Sequence, residues 1–107
     1  MIEKHITVVV ERDAVFNFPD AIYSADHFAA VQAYSDAGRD ITTHAQLHLA
    51  IAEYWALNGY GYCEPYGVNI CQIESDKHRF GMASAPTVTV RRDELEVTES
   101  REEDHVE

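Results

Sequence analysis

Two histidines stand four residues apart in a segment that predicts a helix. His44 and His48 would project from the same face of that helix, which is the geometry with which a helix gives two ligands to zinc. A zinc site needs a third ligand, and the H-E-x-x-H motif is absent because position 45 is alanine. We expect both histidines to be ordinary side chains at the border of the helix. The alternative is a small metal-dependent or hydrolytic enzyme that uses His44 and His48.

The two cysteines offer little chemistry. Cys63 and Cys71 are too few for a disulfide framework, and their spacing matches no metal-binding motif. Cys71 lies in an apolar run, residues 68–73, which favours a role as a small core side chain. The chain also lacks a G-x-S-x-G motif and a glycine loop that could cradle phosphate. We therefore expect no enzyme, and no catalytic residue, metal or cofactor.

A segment rich in glycine and tyrosine, residues 60–67, is a better candidate for binding. Tyr60, Tyr62 and Tyr66 would offer large amphipathic contact areas at low entropic cost, which is typical of protein interfaces. Three tyrosines in an irregular segment are difficult to bury together. The sequence predicts that they contact a partner, and the alternative is that they cap the open end of the core.

Negative charge is concentrated at the C-terminal end. The formal net charge is −11, and residues 93–107 contain eight acids against one base, a net of −7. Such a surface should repel nucleic acid and anionic lipid and attract a basic protein surface. Low lysine content leaves adaptation to high salt open as another reading of the acidity. The predicted partner is a basic protein or complex, without direct binding of nucleic acid or membrane.

Part of this acidic end also has the pattern of a strand. Glu94 and Glu96 alternate with Leu95 and Val97, which would place a row of carboxylates on the solvent face and the apolar residues inward. Alternate residues of a strand lie about 6.6 to 6.8 Å apart, within a factor of two of the phosphate spacing along one nucleic-acid strand. The predicted partner-binding residues are Asp93, Glu94, Glu96, Glu99, Tyr60, Tyr62 and Tyr66.

In size, charge and lack of a catalytic motif, the chain resembles the nucleic-acid mimics and defence inhibitors of phages and plasmids, which include anti-CRISPR proteins. No segment matches a family motif from which residue roles would follow. The resemblance implies a small non-enzymatic binding protein that inhibits a nucleic-acid-binding complex by engaging its basic surface. Self-assembly through the tyrosine segment, as a structural protein, is a further alternative, and the oligomeric state is left open.

Two helices and several strands must position these residues. A β-branched run predicts a strand over residues 5–12. Ser24 is the expected N-cap of a first helix that ends at Gly38, and Thr43 and Gln46 form a capping box for a second helix that stops at residues 58–59. The short link between them suggests a helical hairpin.

The second half of the chain reads as strands. We predict strands over residues 68–74 and 79–83, joined by a hairpin turn at 75–78, and a further strand from residue 87. Val88 and Val90 differ in phase from Leu95 and Val97, so either residues 91–94 form a tight turn or a bulge resets the alternation. From Ser100 onward we expect a frayed acidic tail.

The predicted fold is therefore α+β: an antiparallel sheet of four to five strands with a helical hairpin on one face, in the order β-α-α-β-β-β. Residues 1–99 would form a single domain and residues 100–107 the tail. No apolar run is long enough to span a bilayer and no signal peptide is evident, so a cytoplasmic protein is expected. The predicted core comprises Val8, Val10, Phe28, Val31, Leu47, Ile51, Trp55, Ile70, Ile73, Phe80, Val88 and Val90.

Overall fold

The computed structural model describes residues 1–103, with the side chain of Phe80 excepted. This part of the chain is mixed α+β, as the sequence predicts. In chain order its elements are β1 (His5–Asn17), a 3-10 turn (Asp20–Tyr23), α1 (Ala25–Tyr34), α2 (Asp36–Arg39), α3 (His44–Asn58), β2 (Gly61–Cys63), a 3-10 turn (Glu64–Tyr66), β3 (Val68–Cys71), a 3-10 turn (Glu74–Asp76), α4 (Lys77–Phe80) and β4 (Thr87–Glu103). None of the helices among these residues combines the length and apolarity that crossing a bilayer requires.

The four strands form one sheet in the order β1-β4-β3-β2. β2 pairs antiparallel with β3, whereas β3 pairs in parallel with β4. The prediction of a purely antiparallel sheet is therefore wrong, as is the predicted element order. The cause lies after β3, where residues 74–80 form a 3-10 turn and α4 instead of a hairpin turn and a returning strand. That connection acts as the crossover that a parallel pair needs.

The chain divides into two units. One contains residues 1–15 and the chain from Arg92 onward, and the other contains residues 16–91. We call the described part of the first unit, residues 1–15 and 92–103, the β-ribbon, because it consists mainly of paired lengths of β1 and β4. We call the second the core unit. β4 continues through Glu103, so Ser100–Glu103 extend the strand beyond the boundary predicted at residue 99. The rest of the predicted tail, residues 104–107, lies outside the described residues.

The capping signals of both main helices are confirmed. The Ser24 hydroxyl accepts a hydrogen bond from the backbone N–H of His27 at the start of α1. Thr43 and Gln46 form the reciprocal capping box of α3, in which the Thr43 hydroxyl accepts from the N–H of Gln46. The helix ends at Gly59, whose φ of 81° lies in the left-handed region that glycine adopts without strain.

The predicted role of Gly38 as the end of the first helix is wrong. α1 ends at Tyr34, and Ser35 then caps the short helix α2, with its hydroxyl accepting from the N–H of Gly38. Gly38 is buried, and a Cβ at this position would overlap the backbone carbonyl of Val31. The glycine therefore permits a close approach of two backbone segments.

The core is largely the predicted one, with corrections in the strands. The predicted core side chains that are buried are Val31, Leu47, Ile51, Trp55, Ile70, Val88 and Val90. Phe28 is half-buried, whereas Val8, Val10 and Ile73 are exposed, so their prediction is wrong. Phe80 lies outside the described side chains. Ile22, Ile41, Cys63 and Val68 are buried without having been predicted, and Cys71 is buried as expected. Alternation along a strand shows which residues share a face, but not whether another layer covers that face.

One fully buried polar residue, Asn69 in β3, organises the segment before β4. Its side-chain amide donates to the carbonyls of Met82 and Ala85 at 2.8 and 3.2 Å, and its Oδ1 accepts from the N–H of Met82 at 2.7 Å. A Cβ on Gly81 would overlap this side chain. Asn69 thus satisfies three backbone groups of a segment without regular secondary structure.

Candidate functional site

His44 and His48 lie on one face of α3, as predicted, and are surrounded by aromatic rings of the core unit. The Tyr23 hydroxyl lies 2.8 Å from Nε2 of His48, and the Phe18 ring stacks on the His48 imidazole with centroids 4.3 Å apart. His44 makes edge contacts with the rings of Tyr23 and Phe28. A cavity of about 450 Å³ opens beside Tyr23, Phe28 and His44. Contacts with aromatic rings therefore explain the positions of both imidazole side chains.

The chemistry of the pair follows from this packing. Burial, and then the neighbouring His44, lower the pKa of His48, because both disfavour a positive charge. The described residues contain no group of three or more His, Cys, Asp or Glu side chains that could hold a metal ion. With Nε2 of His48 engaged by Tyr23, the geometry favours a structural role for this imidazole.

Both cysteines are free thiols in the core. Burial raises the pKa of Cys63 to about 12, and burial followed by the charge of Asp76 raises the pKa of Cys71. A thiol with a raised pKa carries little thiolate, which is the nucleophilic form. Their environment matches the role of small core side chains.

The three predicted tyrosines are distributed over separate contacts of the core unit. The Tyr60 ring meets the edge of Trp55, the Tyr66 ring meets Tyr54, and Tyr62 lies in β2. Each is half-buried. Burial is also the main cause that raises the pKa of Tyr66. These side chains therefore serve partly as packing for the core unit, and Tyr62 and Tyr66 also line one cavity of about 220 Å³.

The acidic residues predicted from the sequence lie in the β-ribbon, where cross-strand ion pairs join its two strands. Lys4 near the start of β1 pairs with Glu102 near the end of β4, while Arg12, further along β1, pairs with Asp93. The order of these contacts shows that the strands run antiparallel. The Arg12–Asp93 pair is bidentate, at 2.8 and 2.7 Å, and its side chains are only 24% and 20% exposed.

The ribbon separates its carboxylates into paired and unpaired groups. Asp93 pairs with Arg12 as described, and Glu99 pairs with Arg101 at 3.1 Å. Five exposed carboxylates form no ion pair with any described residue; they are Glu3, Glu11, Asp13, Glu94 and Glu96. Only Glu94 and Glu96 were predicted as site residues. Glu11 and Asp13 on β1, and Glu3 just before it, stand at odd positions beside a β-branched run, a signal that the count of charges at the C-terminal end overlooks.

The apolar residues of the ribbon do not point into a core. Leu95 and Val97 are 67% and 60% exposed, so the prediction that they face inward beneath a row of carboxylates is wrong. β4 is continuous through residues 91–94, which overturns the tight-turn alternative, and the φ of 54° at Arg92 is the local break expected of a bulge. The ribbon therefore presents apolar and acidic side chains together to solvent.

Charge is denser on the ribbon than on the rest of the described chain. Its 27 residues contain nine acids and four Lys or Arg residues, a net of −5, whereas the 76 residues of the core unit carry −4.

Comparison of the chain with protein-family models, with curated proteins and with solved structures gives no match.

Proposed function

We propose that this protein is a non-enzymatic binding protein whose β-ribbon engages a basic surface on another protein. The observation that carries the proposal is the set of five carboxylates that form no ion pair within residues 1–103, which stand among exposed apolar side chains on a short two-stranded element. Unpaired exposed acids raise the rate of association with a basic surface, and apolar contact contributes once water is excluded.

Apolar exposure supports a binding role independently of charge. Ile6, Val8, Leu95 and Val97 are large side chains left more than half exposed within one small unit. Several exposed large apolar side chains in so small a unit are characteristic of interaction sites. An isolated two-stranded ribbon is also marginally stable by itself. Contact with a partner would therefore stabilise the ribbon as well as the complex.

The more specific form of the proposal is that the partner's basic surface is one that normally binds nucleic acid. Glu94 and Glu96 are alternate residues of β4, so their backbone positions repeat at about 6.6 to 6.8 Å along the strand. This repeat is within a factor of two of the phosphate spacing. The protein would then inhibit its partner by occupying the nucleic-acid site, as the resemblance to phage and plasmid inhibitors implies.

Affinity capture with the purified chain at low salt, followed by a salt titration, tests the proposal. We expect the captured protein to be basic, its affinity to fall steeply between about 50 and about 500 mM NaCl, and double-stranded DNA to compete with the chain for it. The double variant Glu94→Gln/Glu96→Gln should weaken binding several-fold.

The matched control is Asp40→Asn/Glu53→Gln, which removes the same charge from exposed positions of the core unit. Equal weakening by both double variants would show that net charge alone matters and that the ribbon is not the contact. A partner that is retained unchanged at high salt would contradict electrostatic capture. A partner whose nucleic-acid binding is undisturbed would contradict only the more specific form.

A further inference from the structure

The outer edge of β1 is open for strand pairing. Among the described strands, β1 has one neighbour, β4, and lies at the end of the sheet order. It is 13 residues long, contains no proline, and includes no residue with positive φ. Exposed edges usually carry a proline, a bulge or an edge lysine that discourages further pairing. Between His5 and Val10 β1 has no proline, no lysine and no positive φ, so a row of backbone N–H and C=O groups is presented without such protection.

The side chains along this edge suit an added strand. Ile6, Val8, Val9 and Val10 are 41% to 61% exposed, and with Thr7 they form an uninterrupted β-branched run. β-branched residues pack well against the cross-strand neighbours of a sheet. A strand placed beside β1 would therefore gain backbone hydrogen bonds and apolar side-chain contacts together.

Charge decides what kind of strand fits. Side chains alternate along β1, so Glu11 and Asp13 lie on one face and Arg12 on the other, while Glu3 and Lys4 immediately precede the strand. Lys4 and Arg12 already pair with acids of β4, whereas the three acids pair with no described residue. The free charge of the β1 edge is therefore entirely negative.

A second copy of this chain fits the edge poorly. Two β1 strands paired symmetrically and antiparallel are related by an axis perpendicular to the sheet, which sets odd positions opposite odd positions. Glu11 and Asp13 would then share a face with the same two acids of the other copy. Like charges opposite one another destabilise a pair of strands. Lysine or arginine side chains of a basic segment would instead form cross-strand ion pairs there.

We propose that the outer edge of β1 accepts an extended basic segment of the partner as an added strand. This inference rests on the proposed function and specifies its mode of binding. The segment spans roughly ten residues, with lysine or arginine at the alternate positions that share a face with Glu11 and Asp13 and uncharged residues at the positions between them. Backbone hydrogen bonds supply affinity, and the alternate basic side chains supply specificity.

A synthetic peptide tests the mode of binding directly. The probe is a peptide of roughly ten residues in which lysine and valine alternate. Its matched control has the same side chains, but every central amide nitrogen is methylated, which removes the donors that pairing requires. We expect the unmethylated peptide to bind at low salt and the methylated one to bind at least about tenfold more weakly. In the complex, alternate amides within residues 6–10 should exchange hydrogen more slowly.

Side-chain variants of β1 form the second arm of the experiment. Glu11→Gln/Asp13→Asn should weaken binding of the unmethylated peptide several-fold, whereas the charge-matched Asp40→Asn/Glu53→Gln should leave it nearly unchanged. Equal binding of the methylated and unmethylated peptides would overturn strand addition while leaving charge-driven capture by the ribbon intact. Failure of both peptides to bind would also overturn it. Capture of a basic partner that depends on Glu94 and Glu96 is measured separately, so the two proposals fail in distinguishable ways.

Discussion

The hydroxyl of Tyr23 and Nε2 of His48 lie 2.8 Å apart, which joins the 3-10 turn before α1 to one face of α3. A hydroxyl that donates to Nε2 requires an unprotonated nitrogen there. The stacked ring of Phe18 covers the same imidazole. Burial and then His44 lower the pKa of His48 and so favour its neutral form, with which such a donated hydrogen bond is compatible.

Stability should consequently fall when the pH drops below neutrality. In the unfolded chain His48 titrates near its ordinary value of 6.5, and in the folded protein its pKa is lower. Between these two values the unfolded chain binds more protons, so acidification favours unfolding, whereas above 6.5 this contribution is constant. Urea denaturation at about pH 7.5 and about pH 5 should show a loss of stability that His48→Gln reduces. An NMR titration that places the pKa of His48 at or above 6.5 would contradict this.

Leu47 should be among the most sensitive positions of the core. Its side chain is fully buried in α3, so Leu47→Ala removes apolar contacts and leaves a cavity, at a cost of about 2 to 5 kcal/mol in the free energy of unfolding. Leu57→Ala, on an exposed face of the same helix, is the control and should change stability by less than about 0.5 kcal/mol. Chemical denaturation measures both, and similar effects would remove Leu47 from the core.

The contrast between α3 and the sheet shows what the sequence can and cannot predict. The start of α3 is predictable to the residue, because Thr43 and Gln46 satisfy backbone donors within one turn. The parallel pairing of β3 with β4 depends on the connection between them, and α4 forms where turn-type residues favoured a hairpin. Pairing of this kind is non-local, so local patterns do not encode it directly.

The same contrast between local and non-local features applies to the candidate site. The acidic character of Glu94 and Glu96 is visible in the sequence. That no described residue forms an ion pair with them, in contrast to Asp93 and Glu99, is a property of strand pairing. The sequence likewise does not reveal that Val8 is exposed, because a β-branched run has the same pattern when another layer of the fold covers it.

Asn69 should be essential for the segment that precedes β4. Asn69→Ala leaves the N–H of Met82 and the carbonyls of Met82 and Ala85 without their side-chain partner. The Met82 carbonyl still accepts from the N–H of Ala85, so two groups lose their partner, and at about 1 to 3 kcal/mol each we expect a loss of about 2 kcal/mol or more by chemical denaturation. Asn58→Ala removes one exposed hydrogen bond, to the carbonyl of Tyr54, and should cost about 1 kcal/mol or less. Equal losses of stability in the two variants would contradict the role of Asn69 in holding this segment.

The two ion pairs of the ribbon should differ in strength. The Arg12–Asp93 pair is bidentate and mostly buried. In the other pair, Nζ of Lys4 lies 3.3 Å from Oε1 of Glu102, and the two side chains are 48% and 51% exposed. We expect double-mutant cycles to give a coupling of about 1 to 3 kcal/mol for the first pair and less than about 1 kcal/mol for the second. The stability of the ribbon in each variant is measured by hydrogen exchange of the β1 amides. A larger coupling for Lys4–Glu102 would show that burial does not set the order.

Adjacent arginines in β4 provide the sharpest test of the bulge. Arg92 has a φ of 54°, where a side chain adds strain, whereas Arg91 has no positive φ. Arg92→Gly should therefore be neutral or stabilise the protein by up to about 1 kcal/mol, while Arg91→Gly should destabilise it by about 0.5 to 1 kcal/mol. Both variants remove one exposed positive charge from the same strand, so the change in charge does not contribute to the difference between them. The β-branched Arg92→Val should cost about 1 to 3 kcal/mol. Equal effects of the two glycine variants in urea denaturation would mean that the left-handed backbone at Arg92 carries no strain.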